Sequence, residues 1–231
     1  MTRMTLYDLA GQNDDLRFSP YCWRVKMALL HKGLEVDSRP WRFTEKETIA
    51  LSGQGKVPVL VDGAQIISDS WTIINYLDTA YSDKPLLFAD QIAKEAAFNL
   101  KEWGDKTLLL PLLKITILDI YNAIHEKDKA YFRETREQRL GMSLESLCDR
   151  SDEAIASFRR LLEPVRKTLE WQPFLSGEQA AGADYILFGA FQWVHCVSAI
   201  QILAENDPVN IWCQRMRALF NGYGEKAKRA I

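Results

Sequence analysis

What this 231-residue chain lacks already narrows its role. It has no long apolar run: the most apolar stretch, Leu108 to Ile120, is interrupted by Pro111, Lys114 and Asp119. That falls short of the ~20 residues a membrane span needs, so the stretch reads as a buried helix and no membrane partner is expected. The start, Met1-Thr-Arg-Met-Thr-Leu-Tyr-Asp8, lacks the apolar core of a secretory signal, which makes the cytoplasm the expected location. An excess of either charge is missing as well. The 29 Lys and Arg against 31 Asp and Glu are scattered, for a formal net charge of -2, and without a basic stripe no nucleic-acid partner is expected. The ending Lys226, Lys228, Arg229 reads as a solvated tail. Cysteine is scarce: Cys22, Cys148, Cys196 and Cys213 lie far apart, with no Cys-x-x-Cys or Cys/His spacing. That pattern predicts reduced thiols and no structural metal. Internal repeats and low-complexity segments are absent.

What is present is an ordinary globular composition, 47% hydrophobic and 26% charged, long enough for one large domain or two modest ones. The first third alternates short β-like and helical runs. Met4 to Leu9 reads as a strand and Gly11 to Arg17 as a polar loop. Ser19-Pro20 opens a helix, because Ser is a favoured cap and Pro suits the first helical position; Tyr21, Val25, Ala28 and Leu29 keep helical spacing, and Gly33 stops it. Glu35 to Trp41 reads as a second strand, and Thr44-Glu-Lys-Glu47 as a capping box for a short helix ending near Gly53. Lys56 to Asp62 and Gln65 to Ile67 read as a hairpin around Gly63. Ser68-Asp-Ser70 then precedes an amphipathic helix through Trp71, Ile73, Ile74, Tyr76 and Leu77. The predicted order is β-α-β-α-β-β-α over 1–82, followed by a linker over 83–90. From 91 to 231 only helical periods follow: Asp90 to about Ala123, Tyr131 to about Trp171 with breaks, Gly182 to about Ile202, and Asp207-Pro208 to about Phe220.

Pro58 lies inside a run that reads as a buried strand, where proline forfeits a ladder hydrogen bond. Two readings are open: a cis Val57-Pro58 bond that turns Val57 outward as a docking edge, or an edge-strand proline. Read singly, Ser19 and Ser70 are helix caps and Lys56 is a solvated side chain. Placed on the β-α-β-α-β-β-α order, however, Ser19-Pro20, Val57-Pro58 and Asp69-Ser70 converge at one end of the sheet.

In this order and spacing, Phe18-Ser-Pro-Tyr-Cys-Trp-Arg-Val-Lys26, Lys56-Val-Pro58 and Asp69-Ser70, followed by a helical half, resemble the glutathione transferase family over essentially the whole chain. The resemblance implies an α/β thioredoxin-like domain that holds glutathione as cosubstrate, an all-helical domain that forms the pocket for a small hydrophobic electrophile, and a homodimer. The Ser-Pro-Tyr-x-Trp-Arg string, Asp69-Ser-Trp-x-Ile73 and Tyr76-Leu-Asp78 further resemble the bacterial glutathione-dependent β-etherases and their fungal relatives, which cleave aryl ethers.

Carried over by position, the resemblance makes Ser19 the residue whose hydroxyl donates to the glutathione sulfur, aided by the positive end of its helix. Val57 then pairs its backbone with the cysteinyl unit, and Pro58 holds that edge open. Ser70 suits the γ-glutamyl carboxylate, Asp69 its ammonium and Lys56 the glycyl carboxylate. Ser19-Pro-Tyr-Cys22 is also similar to the Cys-Pro-Tyr-Cys of glutaredoxins with the attacking thiol replaced. That argues against thiol transfer and leaves Cys22 as a packed helix residue. Arg24 either reaches a carboxylate in the site or forms an ion pair within the first domain. Many family members cap the helix near Gly182 with Ser or Thr three residues before an Asp; here Asp184 is present but Ala181 holds the capping position.

By family geometry the electrophile pocket is lined by Leu9, Phe18, Trp103, Leu110 and Lys114. Trp193, His195 and Trp212 read rather as core, because aromatics at helical spacing are usually buried. The loop Gln12 to Arg17 reads either as a lid or as a solvated loop. The expectation is a serine-type glutathione transferase. An isomerase or reductase that uses glutathione, or a ligand carrier of the same fold, remains the alternative.

Overall fold

The structure is a computed structural model and describes residues 4–231. A four-stranded mixed sheet is built from β1 (Met4–Leu9), β2 (Val36–Trp41), β3 (Val59–Asp62) and β4 (Gln65–Ser68) in the order β2-β1-β3-β4. β1 runs parallel to β2, and the other pairs are antiparallel. Helix α1 (Pro20–His31) crosses from β1 to β2, a 3-10 turn at Lys46–Ser52 precedes β3, and α2 (Ser70–Ala80) follows β4. This is the thioredoxin-like arrangement expected. Gly33, at φ 64, supplies the left-handed residue that ends α1. Buried Lys32 ties α1 to α2 through Asp78, 2.6 Å away, and the Tyr81 carbonyl.

The rest is helical: α3 (Gln91–Thr107), α4 (Leu109–Ala123), α5 (Glu126–Leu140), α6 (Leu144–Leu147), α7 (Asp152–Leu161), α8 (Glu163–Leu169), α9 (Gly182–Val197) and α10 (Pro208–Gly222). α9 is the hub. All its residues except Ala183 and His195 are buried, as befits a helix apolar all round, and it packs on α1, α3, α4 and α10. No helix among the described residues is long and apolar enough to cross a membrane.

Three local expectations change. The run from Asp90 to Ala123 is two helices meeting at Leu108, because Pro111 has no N–H to offer the carbonyl four residues back. The capping box at Thr44 does not form. Asp128 of α5, wholly buried, instead accepts from Phe43 N, Thr44 N and Thr44 Oγ1 at 3.0, 3.0 and 2.7 Å, clasping this loop to the helical half. α9 ends at Val197 rather than Ile202, since Ser198 turns extended and bonds Asp119 of α4.

Candidate functional site

The sheet register decides what meets what. Tyr7 pairs with Val59 and Val59 with Ser68, so the end of β1, the start of β3 and the end of β4 share one end of the sheet. Those three ends lead into Ser19, emerge from Val57-Pro58 and lead into Asp69-Ser70.

Ser19 caps α1 in extended conformation, and its Oγ accepts from Cys22 N at 3.2 Å. Because the oxygen serves as acceptor, its own proton stays available for a partner outside the helix. Ser19 is 3% exposed, so a group reaching it is largely shielded from water. The Val57-Pro58 bond is cis, the first of the two readings of Pro58. Half-buried Val57 makes no backbone hydrogen bond among the described residues, which leaves a donor and an acceptor for an extended ligand.

Asp69, not Ser70, is the cap of α2. Its Oδ1 accepts from Thr72 N at 2.9 Å and from Thr72 Oγ1. Its φ of 74 is uncommon for a residue other than glycine, although aspartate tolerates it better than most, and such backbone conformations concentrate at functional sites. Ser70 is the first residue of α2 and is buried. Lys56 is exposed.

Cys22 is wholly buried, and burial pushes its thiol well above the ordinary range, with the negative charge of Asp8 adding to the effect. A thiol held neutral is a poor nucleophile, which fits a packed helix residue. Asp8 is itself fully buried beside Lys26, Nζ to Oδ2 3.0 Å, yet no hydrogen bond reaches either carboxylate oxygen. Burial works against the Lys26 ammonium, but Asp8 prevails and raises it. Arg24 forms an ion pair, although not within the first domain: it meets Asp105 of α3 and donates to the Ile186 carbonyl of α9 at 2.9 Å.

Two residues went unnoticed in the sequence. Lys46 donates to the Gly55 carbonyl at 2.6 Å and lies 5.1 Å from the Trp41 and Tyr131 rings. This places a second cation beside the Lys56-Val57 segment. Tyr21 sits under the Arg24 guanidinium, 4.9 Å from ring to cation. Burial raises its phenol first and the charges of Asp105 and Asp69 add to that. Neither carries a motif; the only signal was the polar character of Lys46 beside a sheet edge.

Of the residues expected around the electrophile, two share a cleft. Leu110 and Lys114 line a cleft of about 400 Å³ between α4 and α7, with Pro111, Ser151 and Phe158. Leu9 and Phe18, at 7% and 2% exposure, sit in the apolar core. Trp103 is half-buried on α3 and does not line this cleft. Trp193 and Trp212 are core residues, as read, and His195 lines a different cleft. The loop from Gln12 to Arg17 is tied down, with Gln12 N donating to the Ala123 carbonyl and Asn13 Oδ1 accepting from Leu16 N.

The family model described as glutathione S-transferase, N-terminal domain, matches residues 15–85, and that for the C-terminal domain matches 93–209. Glutathione S-transferase Z2 of Arabidopsis thaliana is 39% identical over 72 residues, 29% of this chain and 32% of the relative. Glutathione S-transferase 1 of Dianthus caryophyllus is 36% identical over 115 residues, 47% of this chain and 50% of the relative. The chain thus spans about a third to a half of the length of these curated relatives. Among solved structures, the glutathione S-transferase CsGST63524 of Ceriporiopsis subvermispora, in complex with glutathione, superposes with a TM-score of 0.85 at 22% identity. The match covers 96% of this chain and 98% of that one. Glutathione transferase GSTFuA2 from Phanerochaete chrysosporium gives a TM-score of 0.75 at 26% identity, covering 98% and 95%. With one family model matching over half of the residues, a second matching the sheet domain, and the fold shared end to end, the chain belongs to the glutathione S-transferase family.

Proposed function

We propose that this protein is a glutathione transferase of the serine type, with glutathione as cosubstrate and Ser19 as the group that holds its sulfur as a thiolate. The observation that carries the reading is the polarity of the Ser19 hydroxyl. Its oxygen accepts from the Cys22 N–H, which leaves its hydrogen free to be donated to an external acceptor at the start of a helix, where the dipole favours negative charge. A free thiol has a pKa of about 8.5, and lowering it by ~1.5 units takes roughly 2 kcal/mol. One hydrogen bond to a charged acceptor supplies about 1.5–3 kcal/mol. A general base on the protein is then unnecessary.

Around that sulfur, the unpaired backbone of Val57, held by Pro58, takes the cysteinyl unit as an added strand. Ser70 and the start of α2 take the γ-glutamyl carboxylate, and Asp69 takes the ammonium. Lys56 and Lys46 are the cations for the glycyl carboxylate. The electrophile is a small hydrophobic molecule, an aryl ether being one class: the thiolate attacks carbon, the carbon–oxygen bond breaks, and phenolate leaves. Support for glutathione as the ligand also comes from the fungal structural neighbour solved with it. The active form is a homodimer. Exposed Phe98 lies 5.4 Å from the Trp71 ring, Ile66 and Ile92 are exposed as well, and exposed apolar side chains of this kind suit a second copy.

Steady-state kinetics with a chlorodinitrobenzene and with a phenacyl aryl ether test this reading. Ser19→Ala lowers kcat by about 10–100-fold while the glutathione dissociation constant moves less than about threefold, because the lost bond is made to the reactive thiolate. Unchanged turnover removes Ser19 from its role. Glutathione binding without turnover of either electrophile by the wild type turns the reading toward a ligand carrier.

A further inference from the structure

α9, the segment from Ser198 to Leu203, α10 and the C-terminal segment line an open cleft of about 310 Å³ that includes His195, Asn210, Arg217 and Arg229. It shares no residue with the candidate glutathione site. Its charge is one-sided. Among the described residues neither Arg217 nor Arg229 has a carboxylate within 4.0 Å, and the Arg217 guanidinium makes no hydrogen bond. Arg229 is aimed by backbone alone, its Nε donating to the His195 carbonyl at 2.9 Å and its Nη2 to the Ser198 carbonyl at 3.3 Å.

Two acids of the neighbouring elements are already engaged, while Glu225, whose N–H donates to the Arg217 carbonyl, is exposed. Asp119, bonded to Ser198 Oγ, pairs with Arg150 at 2.7 Å. Asp207, at the start of α10, pairs with Arg166 at 2.9 Å. Two half-buried arginines thus line the cleft with no carboxylate among the described residues within 4.0 Å of either guanidinium, and bidentate recognition of a carboxylate is what a guanidinium fork does best. Burial, then the charges of Arg217 and Arg229, push the His195 imidazole down to about 4, so it stands neutral at pH 7 and adds a donor without a third charge. The remaining wall is apolar, with Phe191, Ile202 and Leu203, and the volume lies within the range of small-molecule sites.

We propose that this cleft is a second ligand site that takes a small organic carboxylate, its head held between Arg217 and Arg229 and its apolar body packed against Phe191 and Leu203. The site takes a carboxylate made elsewhere and performs no chemistry on it. Because Arg229 also fastens the tail to α9, and Ala230 N donates to the Cys196 carbonyl at 2.8 Å, a bound anion stiffens the C-terminal segment against α9.

Titration calorimetry of the full chain with naphthalene carboxylate, run with saturating S-hexylglutathione to block the thiol site, tests the assignment. The expected result is one carboxylate per chain, with the neutral naphthalene carboxamide at least about tenfold weaker. Arg217→Gln, whose side chain bonds nothing in the fold, weakens the carboxylate about tenfold, and Arg217→Lys recovers part of the loss because it restores charge without the fork. Circular dichroism and glutathione binding stay at wild-type values in both variants. Absence of carboxylate binding, equal affinity for the carboxamide, displacement by S-hexylglutathione, or an unchanged affinity in Arg217→Gln each overturns the proposal.

Discussion

The carbonyl oxygen of Pro20 occupies the space in which a side chain at Gly189 would begin. A Cβ built there falls well inside 3.0 Å of that oxygen and 3.1 Å from Arg24 Cγ. The first turn of α1, directly after Ser19, therefore rests on the backbone of α9, and one turn earlier on α9 the Ile186 carbonyl accepts from Arg24. Ser19 is positioned by the helical half of the molecule as much as by its own sheet.

Gly189→Ala should accordingly push α1 off α9. Backbone oxygen cannot swing aside as a flexible side chain can, so a loss of about 2–3 kcal/mol is expected in urea denaturation. Turnover should fall with it at temperatures where the variant stays folded, because the helix start that aims Ser19 moves. Stability within about 0.5 kcal/mol of wild type would contradict the packing argument.

Asp184 gathers four donors: Leu175 N and Trp212 Nε1 on Oδ1, at 2.7 and 2.8 Å, and Ser176 N and Ala181 N on Oδ2, at 3.0 and 3.1 Å. Half of the usual cap of α9 is thus kept, while Ala181 offers no oxygen in return. Asp184→Ala strands all four donors and should cost more than about 3 kcal/mol. Ala181→Ser should add about 0.5–1 kcal/mol by completing the cap. Thermal and denaturant unfolding of both variants read these opposite shifts.

His195, pushed down to about 4, gives stability an acid limb. Between its ordinary value near 6.5 and the folded one, the unfolded chain binds a proton that the folded chain does not, so stability rises with pH through this window and is lost on acidification. The half-exposed ring feels solvent, which holds its contribution to roughly 1–2 kcal/mol. His31, also lowered, first by burial, acts in the same direction. His195→Gln should flatten the dependence measured between about pH 5 and 6.5, and an unaltered slope would show that the ring titrates normally.

The proposed dimer face gives an equally plain expectation. Phe98 is 41% exposed and Ile92 77%. Light scattering should find twice the chain mass for wild type and the single chain mass for Phe98→Glu. A monomeric wild type at micromolar concentration would remove the dimer.

The elements that the sequence discloses are those whose signals are local. Ser19-Pro20 and Gly33 bracket α1, and hydrophobic alternation around Gly63 marks the hairpin. Even the convergence of Ser19, Val57-Pro58 and Asp69-Ser70 follows from strand order. What escaped is long-range. Thr44 looks like a cap until Asp128, 84 residues away, claims its hydroxyl, and Arg24 finds Asp105 across 81 residues. Leu9 and Phe18 look the same in sequence whether they line a pocket or fill a core, because apolarity does not say which side is empty. The cleft between α9 and α10 depends on Arg217 and Arg229 meeting from a helix and a tail, which no periodicity reports.

The central claim, that Ser19 holds glutathione as its thiolate, is tested most directly by following the ultraviolet thiolate absorbance of bound glutathione against pH in wild type and in Ser19→Ala. The expected result is a thiol pKa lowered by ~1.5 units in wild type and returned most of the way to the free value in the variant. Glutathione bound with an unshifted thiol, or a lowered pKa that survives Ser19→Ala, would contradict it.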